Sequence, residues 1–309
     1  MIRSHSAGLA RILVLAAALS AAGLRVMARD RPGRIKLPGK VDVAALSKPD
    51  VYDRWNAAIR AAEPTANVIP MYDVIGRDHW SGGGITVESV SEALDRFGGA
   101  DVEIHINSPG GDMFEGIGIY NRLQQYPGKI TVKVFGLAAS AASIIAMAGD
   151  EILMGPASFI MIHNCWVVAV GNRHDFRETA DFLEPFDAAM VGVYAARTGS
   201  DPTEIAAWMD AETYMGGELA KERGFADGLF GEDAVTVDEA AGASAVAGNA
   251  VRKVELSLCK SMSRTQAREL IAKVKGTPGA ATSPAPAMPG AGDLSWLGAA
   301  AELTASIRS

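Results

Sequence analysis

The stretch Phe135 to Ala146, FGLAASAASIIA, constrains this chain more than any other. A β-like run, ITVKVFG, passes through Gly136 into small residues and then directly into an apolar helix. A serine at such a strand-to-helix junction, here Ser140, lies near unpaired helix N-terminal N–H groups and the positive end of the helix dipole, where a developing oxyanion is stabilised. The flanking alanines and glycine let a substrate backbone approach. The same composition also suits a tightly packed helix face, so the stretch by itself leaves Ser140 between a packing role and a catalytic one.

The surrounding pattern repeats the strand, turn, helix unit. Asp101 to Ile106, DVEIHI, alternates with period two and predicts a strand, with Val102, Ile104 and Ile106 on one face and Glu103 and His105 on the other. NSPGGD follows, with Pro109 and Gly110 placed for a type II turn and Gly111 leaving a backbone N–H unshielded by a side chain. A helix over 114–125 leads to the strand 130–135 and the Ser140 junction. Glu151 to Met154 and Phe159 to Ile162 read as short strands, the second delivering His163 at its end. A long helix from about His174 to Arg197 stops at Gly199, and Asp201 and Pro202 open a short one. The loop MDAET then carries Asp210 and Glu212. Strands alternating with helices predict an α/β fold.

The ends differ from this middle. Ile12 to Leu24 is an apolar run too short to span a bilayer comfortably. It reads either as the core of a signal peptide or, with Met27 as the genuine start, as a mis-called extension. Arg25, Arg29, Arg31, Arg34, Lys36 and Lys40 follow it, and positive charge there resists translocation, so a cytoplasmic location is expected, with export left open. Residues 1–50 are thus a basic N-terminal extension, 51–231 the folded domain, and 232–309 an Ala-, Pro- and Gly-rich flexible tail with short helices. A net charge of -7 argues against nucleic-acid binding, and Cys165 and Cys259 have no metal-like spacing.

Three blocks in order, INSPGGDMFEGIGIYN, GLAASAASIIAMAGD and FIMIHN, resemble the ClpP family of serine peptidases, and EGIGIYN with GLAASAAS looks most like its phage head maturation (prohead protease) branch. The resemblance covers about 69–229. It implies a ClpP/crotonase-like spiral of ββα units, with Ser140 as nucleophile, His163 as general base, and the backbone N–H groups of Gly111 and Ala141 as oxyanion donors. The family's orienting Asp aligns through Tyr214 and AKERGFADGL with Glu212, and Asp210 is the competitor if the loop is extended. Ser143, His105, His174 and Cys165 have structural readings. The resemblance further implies a homo-oligomeric ring acting on protein substrates (capsid, portal or scaffold proteins), without cofactor or metal. Other readings stay open: a degradative protease partnered by a separate ATPase chain, since no GxxxxGK[ST] motif occurs, a crotonase-fold acyl-CoA enzyme, or a catalytically dead shell component.

Overall fold

A strand that is apolar on one face needs cover on that face only, yet Val102–Ser108 is buried at nearly every position, His105 included. The period-two expectation is overridden because both faces of the sheet are covered, as is usual where strands run parallel. His105 is buried through its polar partners: Nε2 meets Glu103 Oε2 at 2.7 Å, Glu103 accepts from Lys133 at 2.8 Å, and the ring packs on Phe135.

The structure, a computed structural model, describes residues 41–42, 48–62 and 66–276. Strand β1 (Val41–Asp42), helix α1 (Pro49–Arg54) and strand β2 (Ile59–Ala61) come first. Strands β3 (Val68–Met71), β4 (Val102–Ser108) and β5 (Ile130–Ala139) alternate with α2 (Val87–Phe97) and α3 (Met113–Gln124), and β5 runs into α4 (Ala141–Ala146). Next come β6 (Glu151–Met154), β7 (Phe159–Ile162), β8 (Val168–Ala169), the long α5 (Arg173–Thr198) and α6 (Pro202–Asp210). The described chain closes with β9 (Thr213–Gly216), α7 (Gly217–Glu222), β10 (Gly228–Leu229), β11 (Val235–Val237), α8 (Glu239–Leu258) and α9 (Arg264–Gly276). This is the α/β architecture the sequence predicts.

The central sheet has the order β10-β6-β5-β4-β3, its neighbours parallel, with Pro70 tolerated because β3 lies at an edge. β5 forks the sheet. Its first half pairs with β6, while Leu137–Ala139 pairs in parallel with β7, which in turn carries β9 antiparallel. The change of partner occurs at an irregularity: Ile106 faces Val134 but Ser108 already faces Ala138. The buried Asn107 side chain bridges the break, accepting from the Leu137 N–H at 3.1 Å and donating to the Asn56 and Ile59 carbonyls at 2.8 and 3.1 Å. Bulges of this kind re-aim a strand. Here the strand end so aimed carries Ser140.

The main core lies between the sheet and helices α2 to α6. A second cluster joins Val51, Tyr52 and Trp55 to Leu137, Ala139 and Met161, the strand residues immediately before the site, and Leu256 of α8 closes it. The structure therefore differs from the expected tail over its first part, since α8 and α9 are packed helices. Composition misses this because α8 is rich in small residues and its buried polar groups find partners far away in sequence. Gly242 sits so close to Ala58 that an added Cβ would lie 2.8 Å from the alanine Cβ, and the buried Arg252 and Glu255 are held by ion pairs. The apolar run at 12–24, the basic segment after it and the Pro- and Ala-rich stretch from 277 onward lie outside the described residues. Among those described, no helix is long and apolar enough to cross a membrane.

Candidate active site

β5 and β7 are parallel neighbours, with Ala139 at the end of β5 opposite Met161 one residue before the end of β7, so Ser140 and His163 both emerge at the same end of the sheet. Ser140 is anchored by its N–H to the Met161 carbonyl at 2.9 Å, and its backbone takes φ 55° and ψ −124° before α4 begins. A non-glycine residue there carries strain of about 1–3 kcal/mol, of the kind found at sharp strand-to-helix turns that present a side chain. His163 Nε2 lies 2.7 Å from Ser140 Oγ. With the neutral ring accepting at Nε2, the hydroxyl donates to it, as nucleophile and base require.

The imidazole is almost wholly buried, and this burial is the main reason its pKa lies below the ordinary 6.5. The Glu212 carboxylate pulls the other way, Lys48 adds to the depression, and Asp50 opposes it. The ring is therefore neutral at pH 7.

The turn after β4 supplies the donors. The Ile75 N–H donates to the Gly110 carbonyl and the Asp112 N–H to the Ile75 carbonyl, both at 2.8 Å, which leaves the Gly111 N–H facing away from Ile75. Only glycine fits at these positions. A Cβ on Gly111 (φ 152°) would stand 2.1 Å from the Ile75 oxygen, and one on Gly110 (φ 82°) 2.5 Å from the Ala139 oxygen and 2.8 Å from Ser140 Cβ. Ala141 is the first residue of α4, where an N–H has no partner within the helix. Gly111, Ser140, Ala141 and His163 line one pocket. Its floor is apolar, made by Met113, Ile117, Ile144, Leu183 and Met190, and sequence reading did not assign these residues to the site.

β9 pairs with β7 so that Thr213 faces Ile162, which sets Glu212 opposite His163 one step further along. Glu212 takes φ 50°, and its N–H bonds the Met209 carbonyl at 3.0 Å, turning the chain out of α6. Its carboxylate is paired with Lys48 Nζ, and no hydrogen bond joins it to His163 among the described residues. Asp210 is the last residue of α6 rather than part of an extended loop, so strand alternation does not carry it to Glu212's side. Its carboxylate accepts from Asn164 Nδ2 at 2.7 Å. Lys48 lies 164 positions from Glu212, and no local signal announces the pair.

The remaining candidates have structural partners. Ser143 Oγ donates to the Ser140 carbonyl at 2.6 Å and meets the Tyr194 hydroxyl at 2.7 Å. Cys165 Sγ lies 2.9 Å from Met113 Sδ, and burial together with Asp187 pushes the thiol pKa far up, away from thiolate chemistry. His174 lies on the exposed first turn of α5. Among the described residues no cluster of His, Cys, Asp and Glu is arranged to hold a metal ion.

The family model described as Clp protease matches residues 93–233, a span that includes Gly111, Ser140, Ala141, His163, Asp210 and Glu212. This segment is Clp-protease-like. Its relatives include the ATP-dependent Clp protease proteolytic subunits of Bacteroides fragilis and Bacteroides thetaiotaomicron, each 32% identical over 131 residues, covering 42% of this chain and 63% and 60% of those proteins. The ATP-dependent Clp protease proteolytic subunit 1 of Salinibacter ruber is 28% identical over 133 residues, 42% of this chain and 57% of its own length. The chain thus spans about three-fifths of the curated relatives it matches. Lys48 and helices α8 and α9 lie outside the Clp-protease-like segment.

Proposed function

We propose that this chain is a serine endopeptidase. The observation that carries the reading is the 2.7 Å approach of His163 Nε2 to Ser140 Oγ in a pocket also lined by Gly111 and Ala141. An apolar side chain of the substrate enters the Met113, Ile117 and Leu183 pocket, bringing the following carbonyl to Ser140. Oγ attacks the carbonyl carbon while His163 takes its proton. The two amides hold the tetrahedral oxyanion, and His163 returns the proton to the leaving amine as the C–N bond breaks. Water then attacks the acyl-enzyme by the same route, giving the acid product and restoring the Ser140 hydroxyl. Glu212 orients the imidazole and stabilises its charged form.

The substrates are proteins of head assembly, capsid, portal or scaffold, processed in a host cytoplasm or inside a prohead by a homo-oligomeric ring. This finer reading is supported by EGIGIYN and GLAASAAS, the blocks most like the maturation branch, and by the long α5, which resembles the family's ring-contact element.

The pH profile of kcat/KM tests the chemistry. His163 acts as base only when neutral, so activity is complete above its pKa and falls with unit slope as pH drops through it. On a blocked peptide amide ending in leucine or methionine, the acid limb is expected to have its midpoint below 6.5. A flat profile would contradict the assignment of His163 as base, and a midpoint at or above 6.5 would contradict the dominance of burial over the Glu212 charge.

A further inference from the structure

The buried guanidinium of Arg252, on α8, lies outside the segment that carries the site, yet it reaches the loop on which one oxyanion donor rests. Nη2 donates to Asp78 Oδ2 at 2.8 Å and lies 3.5 Å from Asp73 Oδ1, while Nη1 is held by Asn249 Oδ1 at 2.6 Å. Both carboxylates shape the loop between β3 and α2. Asp78 accepts from the Ser81 N–H at 3.0 Å, and Asp73 accepts from the Val74 N–H at 2.8 Å and the Gly84 N–H at 3.2 Å.

Within the same loop the Gly76 N–H bonds the Ile85 carbonyl at 2.6 Å and the Ile85 N–H bonds the Val74 carbonyl at 2.9 Å. These bonds fix Ile75, whose own N–H and carbonyl grip Gly110 and Asp112 on either side of Gly111. Arg252, Asp78, Ile75 and Gly111 line a single cleft. Glu255, one helical turn beyond Arg252, adds a second tie to the loop through Trp80 Nε1 at 2.6 Å, and Arg264 and Arg268 neutralise it.

We propose that Arg252 is a positioning residue for the Gly111 oxyanion donor, acting through Asp78, Asp73 and Ile75. The inference rests on the peptidase reading above for its consequence in catalysis, but the coupling from α8 to the turn stands on the contacts alone. Oxyanion stabilisation depends on where the donor points, so a loosened loop lowers the rate of the chemical step and leaves ground-state binding in the apolar pocket unchanged.

Removing Arg252 alone would strand two carboxylates, one of them buried, so the test removes both charges of the closest pair, in Arg252→Met with Asp78→Asn. Expected for the folded double variant are a kcat lower by about tenfold to a hundredfold, a KM within about twofold of the parent, and faster hydrogen exchange at the Ile75 and Asp112 amides. Arg252→Lys, which keeps the charge, is expected to recover most of kcat. If the double variant does not fold, Asp73→Asn, at the half-exposed arm, carries the same readouts with a smaller expected change. Parental exchange at Ile75 and Asp112 in a folded variant would overturn the proposal, as would a loss expressed wholly in KM. A parent chain that cleaves no peptide condemns the peptidase reading instead, and the exchange measurement still decides the coupling.

Discussion

Ser140→Ala is expected to lower peptide turnover by about a millionfold, to the residual rate that bound substrate and oxyanion donors sustain without a nucleophile. The size of the expected loss follows from the division of labour at the junction of β5 and α4. His163 is placed to take a proton from Ser140 Oγ at 2.7 Å, and Ser143 is occupied by the Ser140 carbonyl and Tyr194, so no second hydroxyl stands ready to substitute. The substitution removes one oxygen and leaves the apolar pocket intact, so KM is expected to stay near the parental value. Processing of a capsid or scaffold substrate at the parental rate by the Ser140→Ala chain would contradict the mechanism.

Glu212→Gln is expected to cost up to about ten-thousandfold in kcat, and Asp210→Asn far less. The antiparallel register sets Glu212 opposite His163, and its charge acts on the imidazole, whereas Asp210 closes α6 and is bonded to Asn164. Glu212 is paired with Lys48 in the uncomplexed chain, and the hydrogen bonds of catalysis are often completed only with substrate in place. In the proposed mechanism its carboxylate serves two cations, Lys48 at rest and the imidazolium as it forms. Separate kinetics on the two single variants decide between the acids. A damaged Asp210→Asn chain beside an unaffected Glu212→Gln chain would reverse the assignment.

What the sequence discloses here follows the range over which each feature is built. The backbone settings of Ser140 and Gly111 are legible because a strand-to-helix junction and a Pro-Gly-Gly turn are local, while the roles given to Ser140, Gly111 and Ala141 come only from the resemblance. The place of His163 at the end of a short apolar strand is legible, and its role as base again comes from the resemblance. Glu212 is reached through alignment, and the physical reason for its place, the pairing of β9 with β7, emerges only in the fold. Lys48 is not legible at all, since nothing near it announces a partner 164 residues on. Helix α8 is missed for the same reason. Its small residues look like tail, while the features that bury it are contacts with Ala58, Asp78 and Trp80. Phe114, one of several large apolar residues along α3, is nevertheless 43% exposed and meets Phe186 of α5 edge-on. A periodic pattern cannot tell which stripe of a helix faces the sheet when both stripes hold large apolar residues.

The central claim is that Ser140 is an activated nucleophile, and the most direct test is its reaction with a fluorophosphonate. Oγ forms the P–O bond as fluoride leaves and His163 takes the proton, so the reaction needs the same pair as peptide cleavage but no particular substrate. Intact-mass measurement followed by tandem sequencing of the labelled peptide is expected to find one phosphonyl group per chain, on Ser140, with labelling abolished or strongly slowed in His163→Ala. A folded chain that takes up no label, or takes it up on another residue, or labels at the same rate without His163, would contradict the account.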